Sequence, residues 1–225
     1  MNQITEGRKP QTKRVRFTSP LAFFNFAKSN LDPDFINPCN SPILRKLFRP
    51  KVKTHFDILE KETVDEIIFR TVKPRDRLIL ELMARGGMRI SEVLKIVPND
   101  IAERKILLRE PKSGHEDEMI FIPQKVADRL KDYIKTQNTG LHERVFPIGY
   151  EAARSVVMKA GKLVGIHLRP HDLRRHAATF ASRSGVPLEI VSKIILRHSN
   201  ISTTQIYLGK ISDSEALKWV ETIYS

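Results

Sequence analysis

His171-Asp-Leu-Arg174-Arg175-His176-Ala-Ala-Thr-Phe-Ala-Ser-Arg-Ser184, followed by Gly185, is the stretch from which the rest of the chain is read. It predicts a helix from His171 to Ser184 that stops at Gly185, a residue suited to the position just past a helix end. His171 and Arg174 are three residues apart, so on a helix both side chains leave the same face. Arginine is a planar, permanently charged fork suited to phosphate oxygens, and histidine exchanges a proton near neutral pH. Leu196-Arg197-His198 and then Tyr207 follow, and a tyrosine hydroxyl is a covalent nucleophile where its surroundings activate it. Such a set fits phosphoryl transfer through a protein-bound intermediate.

The chain around this stretch reads as mainly α with one small antiparallel sheet. Upstream, Thr63-Val-Asp-Glu66 has the form of a capping box that opens a helix with Val64, Ile67 and Ile68 inward, ended by Pro74. Arg77 to Arg85 predicts a second helix stopped by Gly86-Gly87, and residues 90–96 a short third one. Lys105 to Arg109 and Glu118 to Ile122 flank a polar turn at 113–117 and read as a β-hairpin. Helices are predicted at 124–137, with Gly140 just past the end, and at about 150–164, closing at Gly165. Another is expected at 187–196. Ser202-x-x-Gln205 caps a short helix leading to Tyr207, and Ser212-x-x-Glu215 caps a tail helix with Leu217, Val220 and Ile223.

Before residue 57 the patterning is irregular. Residues 1–16 are basic and polar and read as a disordered tail or as a segment that lies along a phosphate backbone. Ser19-Pro20 opens a short helix in which Phe23, Phe24 and Phe26 pack on two sides. Ile43, Leu44, Leu47 and Phe48 mark a second short helix, and residues 50–56 a linker. The expected division is residues 1–54, a basic tail with a small remnant domain, and residues 55–225, the functional domain.

Composition narrows the function. The 225 residues carry 39 basic against 26 acidic side chains, a formal charge of +13 and a sequence pI near 10.0. So large an excess favours nucleic acid as partner over a merely well-solvated surface. An apolar share of 40% supplies a core. Cys39 is the only cysteine, which excludes an intrachain disulfide and a cysteine-rich zinc site. There is no apolar run of about 18 residues and no signal-peptide pattern, so a cytoplasmic protein is expected. His171 and His176 are five apart, off the i, i+4 register of a helical zinc pair, and no metal or other cofactor is expected.

Taken singly, these residues have plainer readings. Arg174 reads as a surface or salt-bridged residue, His198 as a cap, Tyr207 as a half-buried core tyrosine and Lys112 as a solvated hairpin lysine. Composition and spacing reach only a basic, helical, nucleic-acid-binding protein.

Resemblance takes the reading further. Gly86-Gly-Met-Arg89-Ile-Ser-Glu92-Val-Leu resembles the first arginine box of the tyrosine recombinase (phage integrase) family. His171-Asp-Leu-Arg174-Arg-His-Ala-Ala-Thr-Phe is similar to its second box. Leu196-Arg-His198-Ser-Asn-Ile-Ser-Thr-Thr-Gln-Ile-Tyr207 is similar to its last, including the nine-residue step from histidine to tyrosine. The boxes keep their order, with 82 residues from Arg89 to His171 and 24 from Arg174 to His198. The resemblance covers about residues 55–225.

It implies a tyrosine recombinase-like catalytic domain that cleaves and rejoins double-stranded DNA through a 3′-phosphotyrosine link, without metal or nucleotide. It implies that Arg89 and Arg174 clamp the scissile phosphate and that Tyr207 is the nucleophile. His171 assists proton movement and, with His198, hydrogen-bonds the phosphate. The family's hairpin lysine, which protonates the departing 5′ oxygen, falls on Lys112, beside an acidic turn whose Glu116 and Asp117 would keep it protonated. The family also implies a homotetramer on DNA, from a protein expected to be monomeric in solution, with neighbours docked through the tail helix, whose equally weighted plainer reading is packing on its own domain.

Two features depart from the pattern. Where the family commonly has glycine before the last histidine, this chain has Arg197, read as a DNA contact or a surface residue. Only some fifty residues precede the catalytic region, which resembles the tail end of the usual core-binding domain and leaves the DNA clamp incomplete. Two alternatives stand beside the recombinase: a catalytically idle DNA-binding protein that occupies or regulates recombination sites, and a type IB topoisomerase.

Overall fold

The computed structural model describes residues 5–49, 58–109, 117–198, 200–208 and Leu217, with Ile206 and Tyr207 described by their backbone alone. The chain divides into two compact units, Met1–His55 and Phe56–Ser225.

In the first unit, helix α1 spans Pro10–Asn30, so Lys13, Arg14 and Arg16 are helical rather than part of a disordered tail. Pro10 occupies its first turn, where the missing N–H has no intrahelical partner to lose. Pro20, expected to open a helix, lies inside this one. The two-sided packing expected of the phenylalanines is not found. Phe17 is buried and stacks on Phe48 with centroids 4.8 Å apart, Phe24 faces Phe35 at 5.8 Å, and Phe23 and Phe26 are exposed. Helix α2, Pro42–Leu47, adds Leu44 to this small core of Phe17, Cys39 and Phe48. Ile43 and Leu47, expected inward, are exposed. The predicted linker lies outside the described residues.

The second unit is built around one helix. Helix α3 (Lys61–Arg70) is followed by α4 (Pro74–Arg85), whose residues Leu78 to Ala84 are all buried. A helix apolar on every side belongs in the middle of a core. α4 packs against α3, the short α5 (Ile90–Val93), α6 (Gln124–Gln137), α7 (Tyr150–Lys162) and α8 (Pro170–Arg183). Its one buried acid, Glu81, is held by Arg129 through two hydrogen bonds of 3.0 and 2.7 Å.

Several predicted ends move. α3 starts at Lys61, before the proposed capping box, and Val64, Ile67 and Ile68 are buried as expected. Pro74 does not end α3 but begins α4, where its fixed φ suits the first turn. α6 ends at Gln137 as expected, but the residue just past it is Asn138, in left-handed geometry with φ +52°, with Gly140 two positions further on; asparagine is the usual second choice after glycine there.

Strands β2 (Lys105–Leu108) and β3 (Glu118–Phe121) pair antiparallel with Ile106 opposite Ile120, both fully buried. A two-residue strand β1 (Ile101–Ala102), too short to be read from pattern, joins β2 to give the order β1-β2-β3. The fold class is as expected, mainly α with a small antiparallel sheet.

The segment predicted as one helix over 187–196 is instead α9 (Leu188–Ile190) running into a π-helical turn at Val191–Ile195. Helix α10, Ile201–Leu208, begins with Asn200, not Ser202, as its local acceptor: Ser202 N donates to Asn200 Oδ1 at 2.8 Å. The proposed tail helix lies outside the described residues, apart from Leu217.

Candidate active site

Two of the helices that carry the arginines begin in the same way. At the start of α5, Glu92 reaches back three residues, its Oε2 accepting from Arg89 N at 2.7 Å and its Oε1 from Arg89 Nη1 at 2.6 Å. At the start of α8, Asp172 Oδ2 accepts from Arg169 N at 2.9 Å and from Arg169 Nε at 3.1 Å. Each carboxylate satisfies an N–H that the first helical turn would leave unpaired, and adds negative charge where the helix dipole is positive. The first of these contacts also fixes the side chain of Arg89.

Arg174, read from sequence as a surface or salt-bridged residue when taken alone, is 1% exposed, the largest fully buried side chain among the described residues, and its Nη1 lies 4.0 Å from Glu92 Oε2. Its Nη1 donates to the carbonyl of Gly87 and its Nη2 to the carbonyl of Leu196. One guanidinium on α8 therefore holds the backbone two residues before Arg89 and two residues before His198. Gly87 permits this approach. It has φ +62°, and a Cβ there would sit 2.7 Å from the Ile195 carbonyl oxygen, closer than a side chain can come.

Arg89, His171 and Arg174 line one cavity of about 290 Å³ together with Ser91, Tyr150 and Pro170. His198 lies beyond the π-helical turn, its N donating to Ser192 O at 2.9 Å and its Nδ1 hydrogen-bonded to Thr204 Oγ1 at 3.0 Å. Thr204 Oγ1, fully buried, bonds in turn to Ser192 Oγ at 2.9 Å. Tyr207 is placed by its backbone in α10. Lys112 lies outside the described residues.

Arg197 is neither on the surface nor directed at a partner. It is 5% exposed, and its Nη2 lies 2.7 Å from Glu92 Oε2. Its Nε lies 3.3 Å from Glu118 Oε2, an ion-pair contact without hydrogen-bond alignment. Burial disfavours its charge and lowers its pKa, opposed by Glu92 and Glu118. Its φ is +50°, a conformation that costs a side-chain-bearing residue roughly 1–2 kcal/mol and glycine nothing.

The electrostatics are those of an anion site. Burial lowers the pKa of His171, aided by the charges of Arg174, Arg175 and Arg89. Burial and the charges of Arg174, Arg89 and Arg197 push His198 down to about 4. Both rings are therefore neutral at neutral pH. Burial of the Glu92 carboxyl opposes its ionisation, but Arg197, Arg89 and Arg174 outweigh it and hold its pKa below the usual range. Fixed guanidinium charge in a partly desolvated cavity binds an anion more strongly than in water. Among the described residues no group of three or more His, Cys, Asp or Glu side chains is arranged to hold a metal ion. No helix among them is long and apolar enough to cross a membrane.

Sequence reasoning assigned no role to Glu92, Ser192 or Thr204. Glu92 had a signal: its three-residue step from Arg89 repeats in Arg169 and Asp172. Ser192 and Thr204 had none, because only the fold brings them to His198.

The model of the phage integrase family matches residues 57–212. The tyrosine recombinase XerA of Saccharolobus solfataricus is 28% identical over 193 residues, covering 85% of this chain and 64% of that protein. The XerA of Thermococcus onnurineus is 32% identical over 174 residues, covering 72% of this chain and 61% of that protein. The chain thus spans somewhat under two thirds of the length of these curated relatives. In fold it is similar to the XerH site-specific recombinase solved bound to palindromic difH substrate, with a TM-score of 0.77 at 16% identity, covering 100% of this chain and 68% of that one.

Proposed function

The chain belongs to the phage integrase family, and from that premise we propose that it is a site-specific DNA recombinase that cleaves and rejoins duplex DNA through a 3′-phosphotyrosine intermediate. The observation that carries the reading is Arg174, whose single side chain grips the backbone beside both other boxes and lines one cavity with Arg89 and His171.

In the proposed reaction the scissile phosphate sits against Arg89 and Arg174, whose guanidinium groups balance the charge that grows on its non-bridging oxygens. Removing one such donor costs roughly 10²–10³ in rate. The Tyr207 hydroxyl attacks phosphorus while its proton moves to His171, which is neutral and able to accept it. The bond from phosphorus to the 5′ oxygen breaks, and that oxygen leaves with a proton from Lys112. Rejoining is the reverse attack by a 5′ hydroxyl. His198 hydrogen-bonds the phosphate. Two duplexes present four scissile phosphates, so the exchange requires a tetramer assembled on DNA, and the proposed compartment is the cytoplasm.

A nicked duplex that loses its 5′ fragment on cleavage tests the chemistry. A denaturation-resistant protein–DNA adduct is expected from the parent chain and none from Tyr207→Phe. No adduct from the parent, or one from the variant, rejects the mechanism. Strong salt-dependent DNA binding without an adduct would establish the idle DNA-binding reading instead. Relaxation of supercoils without exchange between two sites would establish the topoisomerase.

A further inference from the structure

Arg197 combines two costly features: a left-handed backbone and a buried charge. Non-glycine residues persist in such a conformation where the surroundings over-determine them, and buried cations persist where they are paired. Both conditions hold here. The side chain spans Glu92 Oε2 at 2.7 Å, Ile195 O at 2.9 Å and Glu118 Oε2 at 3.3 Å. Glu92 holds Arg89 at the start of α5. Glu118 opens β3, the strand that follows the Lys112 turn in sequence. The next residue in the chain is His198.

We propose that Arg197 is a positioning residue: its buried guanidinium ties β3 to the Arg89–Glu92 turn, and its backbone sets the entry of His198. The clamp has two physical consequences. β3 already packs on the π-helical turn Val191–Ile195, and the Arg197 bridge adds a second tie from the residues that follow that turn. The bridge also sets the charge of the cavity wall. Glu92 Oε2 lies 4.0 Å from Arg174 Nη1. With Arg197 present, Arg89, Arg174 and Arg197 meet Glu92, and Arg197 also meets Glu118, three guanidinium groups to two carboxylates. Without it the charges balance, and Glu92 draws on Arg89 and Arg174 alone, the groups proposed to meet the phosphate. The glycine usual at this position in the family pattern relieves the backbone but supplies neither tie nor charge.

This inference rests on the recombinase reading for its consequence in catalysis but not for the clamp itself, so two measurements are paired. Amide hydrogen exchange is followed on the full chain without DNA in the parent, Arg197→Gly and Glu118→Gln. Glu118→Gln breaks the bridge from the strand side and leaves the backbone at 197 untouched. Exchange in Met119–Ile122 is expected to rise at least tenfold in both variants while the melting temperature moves little. Adduct formation on the nicked duplex at saturating DNA is expected to fall tenfold or more in Arg197→Gly, with DNA affinity within threefold of the parent, and Arg197→Lys should recover part of the rate. Unchanged exchange in β3 overturns the clamp. Faster exchange with an unchanged adduct rate overturns the positioning role. If the parent forms no adduct, the recombinase reading and with it the catalytic role fall, while the exchange data still decide the clamp.

Discussion

The imidazole of His198 is hydrogen-bonded through Nδ1 to the hydroxyl of Thr204 at 3.0 Å, and Thr204 is bonded in turn to Ser192 at 2.9 Å. This chain fixes the orientation of the ring, and donation to a phosphate oxygen, which only accepts, requires the single proton of the neutral ring to be on Nε2. Thr204→Val keeps the shape and removes the Nδ1 partner. It is expected to cost about 1–2 kcal/mol of stability, because the Ser192 hydroxyl loses a buried partner. Adduct formation should fall roughly tenfold or more as the ring loses its orientation. Thermal melts and single-turnover cleavage measure the two effects.

Stability should depend on pH in a defined direction. His198 is held at about 4 by burial and then by the charges of Arg174, Arg89 and Arg197, against 6.5 for the unperturbed group. Between these values the unfolded chain binds a proton that the folded chain refuses, so stability rises with pH across the window. The contribution is complete above 6.5 and is lost as pH falls towards 4. His171 and His176 are shifted in the same direction, both chiefly by burial. Urea midpoints are expected to drop steadily from pH 7 to pH 4.5, and His198→Gln should flatten part of that slope. A midpoint that does not change across this range would contradict the assignment.

Arg174 donates from separate nitrogens to the carbonyls of Gly87 and Leu196, which a lysine ammonium on a flexible stem does not reproduce as a planar fork. Arg174→Lys is expected to lower adduct formation by about 10²–10³ and to reduce stability, since a buried carbonyl loses its donor. DNA affinity at low salt should change far less, because the charge is kept. Cleavage and binding isotherms on the same protein separate the two.

Gly87→Ala places a Cβ 2.7 Å from the Ile195 carbonyl oxygen and 2.9 Å from Ile195 Cγ2 at a φ of +62°. A loss of about 2 kcal/mol is expected, a fall in melting temperature of roughly 4–8 °C for a chain of this size. A melting temperature equal to the parent's would mean that the turn relaxes freely.

Glu81 is fully buried on α4 and relies on Arg129, with Arg77 further away at 3.8 Å. Arg129→Ala leaves that carboxylate uncompensated and is expected to cost about 3 kcal/mol. Replacing both partners, as Glu81→Leu with Arg129→Leu, should recover most of the loss. Chemical denaturation of the single and double variants decides it.

Much of the fold was legible because its signals are local. The burial of Val64, Ile67 and Ile68 follows the helical period, α6 covers the 124–137 predicted for it, and β2 and β3 pair antiparallel as expected. The misreadings share a cause. Pattern alone reads Pro20 as the start of a helix and Pro74 as the end of one, whereas Pro20 lies inside α1 and Pro74 begins α4; which role a proline takes depends on what packs around it. The polarity of Lys13, Arg14 and Arg16 masked a helix held by Phe17 and Phe24 further along. The π-helical turn has no sequence signature, because the alternative α-helical bonding uses the same residues.

By itself the sequence determined which groups are available and their order: the boxes at 86–94, 171–180 and 196–207, and helices able to carry them. Only the tertiary structure decided what these groups do to one another. Arg174 meets carbonyls 87 positions before it and 22 after it, and Arg197 meets a carboxylate 105 positions away. Taken alone, the first reads as a surface or salt-bridged arginine, and the second as a DNA contact or surface residue. Burial removes both from the surface, because a guanidinium removed from water must find acceptors, and here they lie at the ends of segments that only the packed core of α4 and α8 brings together.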